Sequence, residues 1–333
     1  MEPLLIIPLL LGFFVVLFSM NFWIKKAHQI RLIWDDVHKT ARNKVAGSGG
    51  IIVVFGFLAG VLSYIAIETF YFNSTQNLIQ ILALLASVLM VSGVGLIDDL
   101  FGWQHGGLSV KSRLVLVIFA AVPLMVINAG ISTIMGINVG LIYPLILIPL
   151  GIVGASTTFN MLAGYNGLEA SQGIIILSSL SLVTWLTGNS WLSLISLLMV
   201  LCLFAFYSFN KFPAEVFPGD VLTYPVGAMI ACMAILGNIE KIAVFFFTPY
   251  IIETILKLRG GLKKESFAKL NDDGSLEMPY EKIYGLEHMA IYILKKIKPG
   301  KKVYEKDVVY LINAFQVLIV ILGIIIFRND LLK

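Results

Sequence analysis

The apolar positions of this chain gather in long unbroken runs rather than in alternating or helical stripes. No charged residue occurs from Thr69 to Ile97, and none from Leu114 to Leu168. Roughly 20 apolar residues suffice to cross the hydrocarbon core as a helix. Ten such spans are predicted, at residues 4–24, 49–67, 78–97, 114–128, 141–159, 168–186, 191–209, 221–236, 242–258 and 309–327. Within 114–168 the divisions rest on Gly, Pro and Asn clusters. Backbone groups in lipid must be satisfied within their own segment, so the expected fold is an all-α polytopic membrane protein. The first run lacks a basic leader and a small-residue cleavage site, so it reads as a retained span rather than a signal peptide.

Composition agrees with this pattern. Of 333 residues 58% are hydrophobic and only 13% charged, against about a quarter charged in a soluble domain. The mean hydropathy is +0.90. Cys202 and Cys232 both lie in apolar runs and read as small hydrophobes, with no disulfide or metal spacing.

Charge then orients the spans. With ten spans, the odd-numbered connections share one side and carry 21 of the 24 Lys and Arg. Six lie in the first connection and twelve in the ninth; only Lys241, Arg328 and Lys333 fall on the other side. The excess of basic residues marks the cytosolic side, with both termini outside. The chain is thus expected to be multi-pass, in the plasma membrane if archaeal or the endoplasmic reticulum if eukaryotic. Residues 257–307 form a cytosolic insertion before the last span of a single 1–333 catalytic domain. Within it "LNDDGSLEMPY" predicts a hairpin around an Asp-Gly turn. Ile283, Leu286, Met289, Ile293 and Ile297 recur at helical spacing, predicting an amphipathic helix on the membrane.

The polar segments fall on that same side. "IDDLFGW" opens the third connection, "FNMLAGYNGLEAS" is the fifth, "KFPAEVFPGDVLTY" is the seventh, and "PGKKVYEKD" ends the ninth. One carboxylate at a membrane boundary can simply cap a helix or meet water. Asp98, Asp99, Asp220, Asn160 and Asn166 together make a set of hard oxygen donors. Mg²⁺ takes few protein oxygens and completes its shell with water and substrate phosphate. The four histidines are scattered, without the pairing a softer metal needs. Lys111 and Arg113 follow the paired aspartates, and the glycines of "AGYNG" precede a helix start suited to an anion. Adjacent helical residues do not share a face, so Asp98 and Asp99 are expected to do different work, one of them toward a cation such as Lys111. Glu253 lies within the ninth span, where a carboxylate is a functional suspect; the sequence suggests no role for it. The Phe-rich ninth span, with Pro249 able to bend it, is a candidate lipid groove or ordinary bundle packing.

At these residues the chain resembles a known family. "GLIDDLFGW" (95–103), "NMLAGYNGLEASQG" (160–173) and "VFPGDVLTYPVG" (216–227) resemble the polyprenyl-phosphate N-acetylhexosamine-1-phosphate transferases. The form of the second motif and the stretch "LNDDGSLEMPYEKIYGLEHMAIYIL" are most similar to the dolichyl-phosphate GlcNAc-1-phosphate transferases, in an archaeal form. The resemblance implies transfer of GlcNAc-1-phosphate from UDP-GlcNAc to dolichyl or another polyprenyl phosphate, releasing UMP. That is the first step of lipid-linked oligosaccharide assembly for N-glycosylation. It implies Mg²⁺, with Mn²⁺ as a substitute, held by Asn160 and Asp220. It puts Asp98 and Asp99 beside the phosphates, one of them a candidate base, and Lys111 against phosphate charge. Gly164 and Asn166 would meet the uracil and Phe217 would stack on it. Tyr304 and Lys306 stand where the family has His and Arg for the sugar phosphate, and Gly47 where relatives carry Glu. Lys keeps the charge of Arg but not its planar fork, which leaves other UDP-amino sugars or a MurNAc-pentapeptide donor open. Membrane lipid is the other partner; no nucleic acid is expected, and a homodimer is compatible with the chain. A secondary transporter of an anion is the alternative from another class, although transporter sites lie near the midplane and these carboxylates sit at span ends.

Overall fold

The computed structural model describes residues 2–39, 44–134, 137–297, 300 and 302–331. Arg42, Lys298, Lys301 and Lys333, which entered the charge count, lie outside the described residues. The fold is all-α and polytopic. After a short turn at Pro3–Leu5 comes α1 (Ile6–Gln29), then a ribbon of β1 (Ile33–Asp35) and β2 (Lys44–Ala46), then α2 (Gly50–Phe70) and α3 (Leu78–His105). α4 (Val110–Ala120), α5 (Val122–Val126) and a small ribbon of β3 (Thr133–Ile134) and β4 (Ile137–Asn138) follow. A wide helical turn at Tyr143–Leu147 leads into α6 (Ile148–Phe159), α7 (Leu168–Leu186), α8 (Ser190–Asn210), α9 (Asp220–Gly237), α10 (Glu240–Phe246) and α11 (Thr248–Arg259). The insertion holds β5 (Lys269–Leu270), β6 (Leu276–Glu277) and α12 (Leu286–Ile297), before α13 (Glu305–Ile326) and α14 (Arg328–Leu331).

Seven of the ten expected spans are single helices long and apolar enough to cross a membrane. The other three are built differently, each broken near a proline: Pro123 in the first turn of α5, Pro144 and Pro149 around the start of α6, and Pro249 where α10 gives way to α11. Proline lacks the amide a continuing helix needs, and its ring crowds the preceding turn. The third span also runs further than expected. α3 continues to His105, so Asp98 and Asp99 lie inside its last turns rather than in a connection.

α9 is the axis of the bundle, buried along nearly its whole length and packed against α3, α6, α2 and α7. Pro225 lies inside it and leaves the Val221 carbonyl without its helical donor. The Ser92 hydroxyl of α3 donates to that carbonyl at 3.3 Å, as a lipid-buried backbone requires. Contact between the two helices is closest at Gly95, where a Cβ would stand 2.3 Å from the Asp220 carbonyl oxygen. The β1–β2 ribbon pairs antiparallel, Trp34 opposite Val45. It is tied to the connection before α9: the Phe217 amide donates to the Ala46 carbonyl at 2.7 Å, and the Gly49 amide donates to the Phe217 carbonyl at 2.9 Å.

The hairpin forms as expected, with Lys269 opposite Glu277 and Gly274 at φ 77° in its turn. α12 is amphipathic, but its buried face is Leu286, Ala290 and Ile291, packed on α13. Ile283 precedes the helix, and Ile297 is exposed. The apolar residues of α12 therefore cover a neighbouring helix, and the expected stripe is rotated.

Gly95→Ala is expected to force α3 from α9 and to cost about 1–3 kcal/mol of stability, read as a lower melting temperature in detergent. Gly93→Ala, two residues away, meets nothing within 4 Å and should leave the melting temperature unchanged or raised.

Candidate functional site

A cavity of about 740 Å³ opens at the end of the bundle where α9 begins. It is lined from distant parts of the chain: Trp34 to Val37 with Gly47 and Ser48, the end of α3 with Arg113, the Asn160–Tyr165 turn with Glu169, the Phe217–Asp220 turn with Thr223, and Phe267 from the insertion. The opposite end of α9, 18 residues or about 27 Å away, meets a separate pocket lined by Asn77, Asn128, Asn189 and Asn238. The candidate motifs of the odd-numbered connections therefore share one end of the molecule. Several even-numbered connections share the other.

The paired aspartates divide their work as helical geometry requires. The Asp99 carboxylate accepts the amides of Asp220 at 2.8 Å and Val221 at 3.3 Å, capping the first turn of α9. An acid at that helix end also meets the positive end of its dipole. The fit needs Gly219, whose φ is +71° and where a Cβ would stand 2.2 Å from Asp99 Oδ2. Asp98 points elsewhere. Its Oδ1 accepts the Leu108 amide at 2.5 Å, and its Oδ2 lies 3.0 Å from Arg113 Nη1. The same nitrogen lies 3.2 Å from the Tyr224 hydroxyl and 3.8 Å from Asp220 Oδ2. The cation facing the aspartates is thus Arg113. Lys111, two residues earlier, is exposed and is not part of the cavity wall. Both were visible in the sequence; only the side of α4 that faces α3 and α9 separates them.

The oxygen donors suit a hard divalent cation bound together with phosphate. Asp98 and Asp220 converge on one nitrogen, Arg113 Nη1, at 3.0 and 3.8 Å, and like charges so placed call for positive charge between them. The Asn160 side-chain carbonyl is oriented by the Thr223 hydroxyl at 2.9 Å, which leaves one of its lone pairs free. Among the described residues, no three acidic, His or Cys side chains form a complete cage. Mg²⁺ habitually uses one or two carboxylates and leaves the rest of its shell to water and substrate, so this sparse set fits it.

Gly164 and Phe217 also line the cavity. Asn166, Tyr304 and Lys306 do not. Asn166 is buried behind the wall, its Nδ2 donating to Asp36 Oδ2 at 3.0 Å. Tyr304 caps α13, its amide donating to the Asp307 carboxylate at 3.0 Å, and both Tyr304 and Lys306 face solvent. The residue between them, Glu305, turns inward and is 3% exposed. Sequence reading passed over Asp36, His38 and Glu305. Glu305 stood within the noted segment "PGKKVYEKD", whereas Asp36 and His38 lie in the first connection, outside the polar segments noted above.

Glu253 acquires a place in the structure. Fully buried on α11, it accepts the Leu286 amide at 2.6 Å, capping α12, with Lys257 Nζ at 3.5 Å. It therefore fastens the insertion to the bundle. Glu287 and His288 of α12 are buried beside it. Burial first, and then the Lys257 charge, push the His288 imidazole down from 6.5 to about 4. Its Nδ1 accepts the Tyr284 amide at 3.4 Å, which requires a bare ring nitrogen.

Fold and site together define an all-α polytopic membrane protein with a polar, phosphate-suited cavity at one end of its helices. The family model described as glycosyl transferase family 4 matches residues 81–238, and the chain belongs to that family. It is 35% identical over 294 residues to a protein of Saccharolobus solfataricus, covering 86% of this chain and 88% of the relative. It is 30% identical to one of Sulfolobus acidocaldarius, covering 96% and 95%. Both carry the provisional name UDP-N-acetylglucosamine–dolichyl-phosphate N-acetylglucosaminephosphotransferase. A phospho-N-acetylmuramoyl-pentapeptide-transferase of Streptococcus pyogenes is 27% identical, covering 75% and 78%.

Arg113→Ala leaves Asp98 and Asp220 facing each other without their shared cation. A stability loss of about 2 kcal/mol is expected, partly relieved by adding Asp98→Asn, with a double-mutant cycle in thermal unfolding as the measurement. The depressed His288 gives a pH signature. The unfolded chain takes up a proton near pH 6.5 that the folded chain resists until about 4, so stability should fall as pH drops through that window. His288→Gln should flatten the melting-temperature profile there.

Proposed function

We propose that this protein transfers GlcNAc-1-phosphate from UDP-GlcNAc to dolichyl or another polyprenyl phosphate, at the cytosolic face of its membrane. The observation that carries the reading is the gathering of Asp98, Arg113, Asn160 and Asp220 in one cavity, next to an apolar groove. That groove, about 510 Å³, runs between α6, α9, α10 and α11 and includes Thr158, two residues before Asn160. A lipid phosphate can thus lie with its chain in the groove and its head in the cavity. The names of the archaeal relatives support the same donor and acceptor. The basic residues of the odd-numbered connections support the cytosolic side.

In the reaction an oxygen of the lipid phosphate attacks the phosphorus that bears GlcNAc. The bond from that phosphorus to the bridging oxygen breaks, and UMP leaves with the bridging oxygen. The new lipid diphosphate retains GlcNAc. Such transfers need alignment and charge neutralisation more than covalent help. Mg²⁺ held by Asp220 and Asn160 would neutralise charge on the diphosphate. Arg113 adds a permanent positive charge at the cavity wall. Asp98 holds Arg113 in position. A lipid phosphate is already ionised at neutral pH, its second pKa being about 6, so Asp98 need not take a proton from it. Asp99 keeps the first turn of α9, and with it Asp220, in place. Phe217 offers a ring, and Gly164 a close backbone, to the uracil. The insertion at 257–307 belongs to this single catalytic domain.

Purified protein with radiolabelled UDP-GlcNAc, dolichyl phosphate and Mg²⁺ should yield lipid-linked GlcNAc and UMP. The absence of both with every polyprenyl acceptor would sink the reading. Asp220→Ala should lower turnover by 10³-fold or more, on the order of 4 kcal/mol of transition-state stabilisation, and EDTA should do the same to the unmodified protein. A panel of UDP-amino sugars, with a MurNAc-pentapeptide donor, fixes the sugar.

A further inference from the structure

The turn Ala163–Gly167 between α6 and α7 forms one wall of the cavity, yet it carries no regular structure that would hold its shape. Three carboxylates from three parts of the chain hold it instead. Glu169 of α7 accepts the Gly164 amide at 2.8 Å. Glu305, at the start of α13, accepts the Asn166 amide at 2.7 Å. Asp36, from the β1–β2 ribbon, accepts Asn166 Nδ2 at 3.0 Å. Asp36, Asn166, Glu169 and Glu305 are each 5% exposed or less, so these bonds are buried, and to an ionised carboxylate they are of the stronger, charge-assisted kind.

His38 closes the arrangement. Its ring lies 4.4 Å from that of Tyr165, centroid to centroid. Its Nε2 accepts the Ala268 amide from the insertion at 3.2 Å, so in the neutral ring the proton sits on Nδ1. That nitrogen lies 3.7 Å from Glu305 Oε1. On the cavity side Phe267 presses on Gly164, where a Cβ would stand 2.7 Å from its ring. The turn is thus gripped between the ribbon after α1, the insertion and α13.

We infer that Asp36 and Glu305 are positioning residues for donor recognition: they hold the Asn166 turn in the shape that receives the nucleotide. This rests on the proposed reading that the turn meets the uracil. Asp36 and Glu305 are occupied with the Asn166 side chain and amide respectively, and Glu305 is not part of the cavity wall. Their loss should therefore weaken nucleotide binding and leave the chemical step and the lipid acceptor largely unaffected. Lys39 Nζ, 2.5 Å from Asp36 Oδ2, helps hold that carboxylate in place. The physical reason for such a device is entropic. A glycine-bearing turn ordered only by its ligand would lose affinity for every residue ordered on binding; a turn already ordered by buried bonds does not.

The test measures UMP binding by calorimetry on the full-length protein in detergent, so that it does not depend on turnover. Asp36→Leu and Glu305→Met keep volume but remove the acceptor. Each is expected to weaken UMP binding about tenfold or more, the loss of one charge-assisted hydrogen bond. Asp36→Asn and Glu305→Gln retain an accepting oxygen and should stay within about threefold of the parent. In steady state the apolar variants should raise the donor KM while kcat and the acceptor KM hold within about twofold. A merely structural role would lower melting temperature without separating the amide variants from the apolar ones, and that result overturns the proposal. So does unchanged UMP affinity in the apolar variants. If the parent protein itself binds no UMP, the donor reading fails first and this inference falls with it. If an apolar variant does not fold, Phe267→Ala on the half-open cavity wall reads the same grip, with a raised donor KM at unchanged kcat expected and an unchanged KM counting against it.

Discussion

The bond between Asp99 and the first amides of α9 is the contact on which the rest of the site depends. It joins the C-terminal end of α3 to the start of the most buried helix. The first amides of any helix lack internal partners, and at this depth in a membrane protein water is a poor substitute. A carboxylate brought to that point satisfies two of them and meets the helix dipole. Because Asp99 is committed to this task, Asp98, projecting from a different face of the same helix, is left to hold Arg113. Asp220, as the first residue of α9, is carried to the cavity by the same bond. Gly95 has no side chain where the two backbones meet, and Gly219 none where the Asp99 carboxylate reaches α9.

A second tie brings together the segments at this end of the bundle. β2 hydrogen-bonds to the connection before α9, and the His38 segment reaches the insertion and α13. Glu253 fixes the start of α12 to α11. The insertion is therefore a wall of the site, contributing Phe267. Its helix, expected to lie on the membrane, spends its apolar face on α13 instead. For phosphoryl transfer this is a workable arrangement. Donor and acceptor are both anionic, and the protein's part is to hold them against mutual repulsion in a fixed alignment. Rigid helix ends supply the phosphate side, while a braced turn supplies the nucleotide side.

Much of this was legible in the amino-acid sequence, and the limits have identifiable causes. Runs such as 78–97 and 168–186 could only be membrane helices, because no other structure satisfies the backbone in lipid. The one-sided polar segments and their family motifs named the chemistry. Reading went astray where a decision depended on which way a helix turns. Lys111 and Arg113 differ by two positions on α4, and a difference of roughly 200° about the axis puts one outside and one at Asp98. The α12 stripe was rotated because the helix begins at Leu286 and packs on a neighbour the sequence does not reveal. Spans 114–128 and 242–258 were expected as single helices, the second able to bend at Pro249, whereas each is divided into two helices.

The sequence by itself determined that this chain is helical, membrane-embedded and provided with hard oxygen donors and basic residues at the ends of its spans, since those properties follow from composition, run length and residue type. The tertiary structure alone decided which donors meet. Asp36, Asn166 and Glu305 are separated by 130 and 139 residues, and nothing local draws them together. They become partners because buried carboxylates and amides must find one another once the helices have excluded water. Which cation faces Asp98, and what Glu253 is for, were settled by that same requirement.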